Sequence, residues 1–178
     1  KLFVNKDLPL FNELLQDFLT IQLWTCVRGA EIVQMRAKQF TQEDDGFWWT
    51  LPKSMTKNKH KINATALRVP LIGKALEIVK RRLASNDDWL FPKEIRRNLS
   101  PHVSQHYMGN QVALKQPYCQ LYPERFRVRL TVTDWTPHDL RRTSRTLLSS
   151  LNCPEDIGEA ILGHIKTGVK GRYDLYKH

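Results

Sequence analysis

Cysteine is scarce in this chain, with three in 178 residues, at positions 26, 119 and 153. The number is odd, the three are far apart, and no C-x-x-C pair occurs, so neither a disulfide framework nor a zinc knuckle is suggested. They read as small core residues. No apolar run approaches the ~20 residues of a membrane-spanning helix, and no signal peptide heads the sequence. A cytoplasmic protein is expected. Acidic residues are also in deficit: 18 Asp and Glu stand against 28 Lys and Arg, a net charge of +10. Such an excess implies a polyanionic partner, with nucleic acid ahead of a membrane surface. Internal repeats, low-complexity tracts and Gly/Ser/Pro-rich linkers are absent too, so the length reads as one domain with an ample core.

The patterns that are present suggest a mainly helical α+β domain with a small antiparallel sheet. Between Pro9 and Trp24, the side chains Phe11, Leu14, Leu15, Phe18 and Leu19 keep the helical period, and Pro9 suits a first turn. The period resumes at Ile32, Val33 and Met35, so Arg28 falls where a helix is interrupted or begins. "GFWWTLP" and "TALRVPL" are short and rich in aromatic or β-branched residues; they read as a hairpin whose long turn, Lys53 to Asn63, carries lysines 53, 57, 59 and 61. Ile72, Ala75, Leu76, Val79 and Leu83 mark another amphipathic helix. Ser100 and Pro101 predict a further helix start, and Pro117 to Trp135 reads as an insertion or a loosely ordered connection. Trp24, Trp48 and Trp49 are expected in the core.

"TPHDLRRTSRTLLSSL", from Thr136 to Leu151, concentrates the chemistry. A threonine cap, a proline at the first helical position and Asp139 three residues on form a capping-box-like start. Leu140, Thr143, Leu147 and Leu151 predict the packed stripe, while His138, Arg141 and Arg145 share another face near the helix N-terminus. Backbone N–H groups and the helix dipole already favour an anion there, so the arrangement suits phosphate. A solvated basic face is the plain alternative. Beyond it, "EAILGH" lets Gly163 end a helix with His164 at its exit, and "TGVKGRYDLYKH" brings Tyr173 and Tyr176.

In these residues the chain resembles the catalytic domain of tyrosine recombinases, especially phage-type and genomic-island integrases. The likeness runs from about Phe11 to the C-terminus and is weakest between Lys93 and Trp135. "TCVRGAEI" resembles the family's first arginine box, which implies Arg28 as catalytic arginine and Glu31 as its supporting acid. "MTKNKHK" resembles the hairpin turn of the catalytic lysine, and its "TK" favours Lys57 over Lys59. "HDLRRT" matches the His-x-x-Arg box through His138 and Arg141, "LGH" supplies His164, and "GRYDLY" places the nucleophile on Tyr173, with Tyr176 as competitor. The resemblance implies the tyrosine-recombinase catalytic fold, DNA cleavage and rejoining through a 3′-phosphotyrosyl bond, and no metal or other cofactor. It further implies double-stranded DNA attachment sites as partner, a homotetramer on DNA in the full-length protein, accessory DNA-bending proteins, and a bacterial, nucleoid-associated setting. Because the sequence begins at Lys1 and not Met, it is expected to be a fragment, residues 1–178 being the catalytic domain without the family's amino-terminal DNA-binding domains.

Elementary chemistry agrees with these roles. A phosphodiester under attack gathers charge on its non-bridging oxygens, which two guanidinium forks can grip. A tyrosine hydroxyl, with a reference pKa of ~10, needs a base or neighbouring cations to become a nucleophile. The leaving 5′-oxygen needs a proton, which a lysine can give. A type IB topoisomerase uses similar chemistry, and a DNA-binding module without catalysis would keep the same charge. His102 and His106, four apart, can offer two metal ligands on a helix, but no acidic or cysteine partner at a recognisable spacing completes a set.

Overall fold

The computed structural model describes residues 3–62, 64–85, 88–93, 100–121 and 128–164. Its first long helix, α1 (Glu13–Thr25), starts where Asn12 accepts the Leu15 amide at 3.0 Å, four residues later than the periodicity placed it. Pro9 lies in a preceding 3₁₀ turn, and Phe11 is buried ahead of the helix. Leu15, Phe18, Leu19 and Ile21 bury the inner face of α1 against α3 (Gly73–Ser85) and α5 (Pro137–Ser150). At the edge of this packing, Asp17 accepts from Arg82 Nε and from Arg81 Nη2, both at 2.6 Å, fixing α1 to α3.

Cys26 ends α1 in the left-handed conformation, with φ of 58°. A single helical turn, α2 (Gly29–Ile32), follows, and the resumed period at Val33 and Met35 belongs to buried turn residues rather than to a longer helix. A three-stranded antiparallel sheet comes next: β1 (Phe40–Glu43), β2 (Gly46–Leu51) and β3 (Leu67–Leu71), in that order. The anticipated hairpin is the β2–β3 pair, with Trp49 opposite Val69 and Leu51 opposite Leu67. Trp49 is fully buried and donates its indole N–H to Gln39. Trp48 is half-buried beneath Arg68, 4.4 Å from ring to guanidinium. Trp24 departs from expectation: it is 46% exposed and its ring covers Gly73.

The structure differs from the sequence reading at further points. The helix predicted at Ser100 begins instead at α4 (Gln105–Ala113), capped by Ser104, which accepts the Tyr107 amide at 3.0 Å. His102 consequently lies outside the helix in a β-bridge to Pro92, while His106 is on α4, so the two do not form a helical pair. Ile72 precedes α3 and is 63% exposed; Arg82 takes a buried place on that helix beside Ala75 and Val79. The described end of the 117–135 segment is anchored rather than loose: Asp7 accepts the amides of Thr131 and Val132 at 2.8 and 2.7 Å, and Leu130 is buried. Of the cysteines, Cys26 is buried, whereas Cys119 and Cys153 are half-buried.

On α5 the packed stripe is Pro137, Leu140, Arg141 and Ser144, while Leu147 and Leu151 are exposed. Arg141 and Ser144 therefore join Leu140 on the packed side, where the apolar pattern had placed Thr143, Leu147 and Leu151. The last described helix, α6 (Glu155–Ile161), packs on α5 and delivers the chain to His164.

Candidate active site

Three chain breaks converge at one corner: the end of α1, the hairpin turn and the exit of α6. At the first, Arg28 opens α2 and its amide donates to Glu31 Oε2 at 3.4 Å. The Glu31 carboxylate is buried. Its Oε1 lies 3.5 Å from Arg28 Nη1 and accepts the Lys57 amide at 3.2 Å. One carboxylate thus fixes both the first arginine and the backbone that carries the lysine. The Lys57 side chain is exposed, as is that of Lys59.

Arg141 is 4% exposed. Its Nη1 donates to the Cys26 carbonyl and its Nη2 to the Leu162 carbonyl, groups left over by two helix ends. Nη2 also reaches His164 Nε2 at 3.2 Å. Burial, followed by the like charge of Arg28, lowers the Arg141 pKa to about 10. Two cations held close enough to disfavour one another form a site that an anion relieves.

α6 ends in a Schellman turn. Gly163 adopts a φ of 60° and donates its amide to Ala160 at 2.8 Å, and the His164 amide returns to the Glu159 carbonyl at 3.0 Å. A Cβ at position 163 would stand 3.6 Å from Arg28 Nη1, so Arg28 lies against this turn. Asn58, beside Lys57, donates its side-chain amide to the Gly163 carbonyl at 3.1 Å and joins the hairpin turn to the α6 exit. Between them opens a cleft of about 310 Å³ bordered by Arg28, Asn58, Thr65, Arg68 and His164.

The fold thus brings together Arg28, Glu31, the Lys57 backbone, Arg141 and His164. His138 is exposed in the first turn of α5, one turn ahead of Arg141. Tyr173 and Tyr176 lie outside the described residues. Arg145, placed by spacing on the face of His138 and Arg141, pairs with Glu159, and Asn58 and Glu159 are polar members that spacing did not single out. Glu159 had one usable signal: a glycine-ended helix folds the residue after the glycine back onto the position five earlier.

The profile of the Phage integrase family matches residues 10–174. The chain belongs to the phage integrase family. Among solved structures, it is similar to the XerH site-specific recombinase bound to difH substrate, with a TM-score of 0.58 and 19% identity over 88% of this chain and 42% of that one. It is also similar to the Tn1549 transposon integrase in complex with circular intermediate DNA. One such complex gives a TM-score of 0.57 and 14% identity, covering 99% of this chain and 56% of that one. A second gives 0.60 and 15%, covering 92% and 54%. The chain spans about half the length of these relatives, and the likeness establishes the tyrosine-recombinase catalytic fold that was anticipated. No curated protein matches it in sequence.

Proposed function

We propose that this chain is the catalytic domain of a site-specific DNA recombinase that cleaves and rejoins strands through a 3′-phosphotyrosyl intermediate. The observation that carries the reading is the pairing of Arg28 with a buried Arg141, whose fork is already committed to two carbonyls and bordered by His164. That geometry holds positive charge rigidly where a phosphate's non-bridging oxygens would gain most charge. Glu31 keeps Arg28 in place and, through the Lys57 amide, sets the turn that carries the lysine.

In this mechanism Tyr173 Oη gives its proton to His138 and attacks phosphorus, and the bond from phosphorus to the 5′-oxygen breaks. Lys57 delivers a proton to that oxygen, and His138 and His164 assist at the phosphate. Rejoining reverses each step, so the phosphotyrosyl bond conserves the energy of the broken phosphodiester without ATP. The full-length protein would act as a homotetramer on paired DNA sites in the bacterial cytoplasm, with accessory DNA-bending proteins.

The test is covalent trapping. Full-length protein is incubated with a nicked site that lets the cleaved strand diffuse away, and the DNA-linked peptide is mapped by mass spectrometry. Wild-type protein and Tyr176→Phe should give the adduct, and Tyr173→Phe should bind DNA without it. An adduct on Tyr176, or none from wild type on its own site, overturns the assignment. Recombination of paired sites, as opposed to simple relaxation of supercoils, separates this enzyme from a topoisomerase.

A further inference from the structure

The mechanism leaves one carboxylate of this corner unused. Glu159 Oε2 faces His164 Nδ1 at 2.5 Å, and its Oε1 accepts from Arg145 Nε at 3.1 Å. Its carbonyl also accepts the His164 amide at 3.0 Å. The same residue therefore holds both the ring and the backbone of that histidine. The bond from His164, then the bond from Arg145, keep the Glu159 carboxyl below its ordinary range, so it is ionised and acts as an acceptor at neutral pH.

The location of Glu159 is not explained by helix stability. It lies in the last turn of α6, where the helix dipole disfavours an acid. His164, by contrast, needs a tether: its side chain is 46% exposed, and an imidazole so placed is otherwise free to rotate or to exchange tautomers. A carboxylate at Nδ1 retains the proton there and leaves Nε2 turned toward Arg141 Nη2, 3.2 Å away.

We propose that Glu159, itself held by Arg145, is a positioning residue that fixes the tautomer and orientation of His164 so that Nε2, left unprotonated, is held beside the Arg141 fork to take up a proton at the phosphate. The proposal rests on the recombinase reading above. It makes Glu159 act only through His164, which gives it a distinctive signature.

Single-turnover adduct formation by the full-length protein on the nicked site is measured beside DNA affinity. Glu159→Ala should slow adduct formation by about tenfold or more with affinity unchanged. Glu159→Gln keeps an oxygen for the Nδ1 proton and should remain within about threefold of wild type. In a His164→Ala background, Glu159→Ala should add nothing. A wild-type rate for Glu159→Ala, an equal loss in both backgrounds, or a Gln variant as slow as the Ala variant overturns the positioning role. Imidazole ¹⁵N spectra of the wild-type protein test it without any variant: the Nδ1–H tautomer of His164 is expected, and the Nε2–H tautomer overturns it. A wild-type protein that forms no adduct overturns the recombinase reading and this proposal with it, whereas a wild-type adduct alongside an unaffected Glu159→Ala overturns the positioning role alone.

Discussion

Arg141 on α5 and His164 at the exit of α6 meet with Nη2 3.2 Å from Nε2, while the same guanidinium is bound to the carbonyls of Cys26 and Leu162. A lysine ammonium has the charge but not the fork, and it cannot satisfy three partners set in one plane. Arg141→Lys should therefore reduce adduct formation by about a hundredfold or more while DNA affinity changes by less than about threefold. Single-turnover cleavage and a binding titration at fixed salt are compared. Parallel losses would place Arg141 in binding alone.

The neighbouring cations should make the free domain responsive to anions. A cation whose folded pKa is depressed costs stability in its charged form below about pH 10, and that cost is relieved as pH rises through this value. An anion in the site relieves it at neutral pH. Inorganic phosphate at ten times its dissociation constant should stabilise the domain by about 1.4 kcal/mol relative to chloride at equal ionic strength. The corresponding rise in melting temperature is about 3–6 °C, and Arg141→Lys should abolish most of it. An equal rise in both proteins would locate the anion elsewhere.

The start of α5 offers a separate test. Asp139 accepts from the Thr136 amide and hydroxyl, both at 2.9 Å, and these bonds lower its pKa. Asp139→Ala should cost about 1 kcal/mol at neutral pH. A depressed carboxyl contributes stability above its unfolded pKa and loses it as pH falls through the folded one, so the gap between variant and wild type should close in strong acid. Denaturant melts at both pH values measure this. A gap that persists in acid would point to packing instead of charge.

Two glycines should respond in opposite directions to alanine. Gly73 has a φ of 51°, and a Cβ there would lie 2.5 Å from Trp24 Cζ3. Gly109 sits within α4 with nothing within 4 Å of a Cβ. Gly73→Ala should destabilise by about 1–3 kcal/mol, and Gly109→Ala should stabilise by about 0.5–1 kcal/mol. Chemical denaturation midpoints decide both, and a stable Gly73→Ala protein would show that Trp24 moves aside freely.

Chelation tests the source of the neutralising charge. Among the described residues, no three His, Cys, Asp or Glu gather where they could hold a metal ion. Cleavage should proceed at the same rate in EDTA as without it, because the proposed phosphate contacts are arginines. Activity lost to EDTA and restored by a divalent ion would require a different mechanism.

Features written in local chemistry were legible before any coordinates. The Thr136–Asp139 cap is complete within four residues, and the β2–β3 hairpin announces itself by aromatic and β-branched runs on either side of a lysine-rich turn. The face of α5 was misread because an apolar pattern ranks leucine inward and arginine outward. Here the inner face abuts two orphan helix-end carbonyls, which a guanidinium satisfies and a leucine cannot, so Arg141 is buried while Leu147 and Leu151 face solvent. No pattern within α5 reveals carbonyls contributed by Cys26 and Leu162. β1 escaped for the opposite reason: "FTQE" is a short edge strand whose two middle residues are exposed, so it lacks the alternation by which strands are read. Glu31 was recognised from its motif, but its bond to the Lys57 amide depends on the hairpin folding back across 26 residues.

The sequence separation of the partners of Arg141 also bears on biosynthesis. One carbonyl comes from residue 26 and the other from residue 162, so the fork has no fixed geometry until both have joined α5. As the chain leaves the ribosome, the Cys26 carbonyl precedes its guanidinium partner by 115 residues. A chain that ends before α6 thus has much of the positive charge but not the fixed Arg141 fork. The order of synthesis therefore sets the order in which these contacts can form.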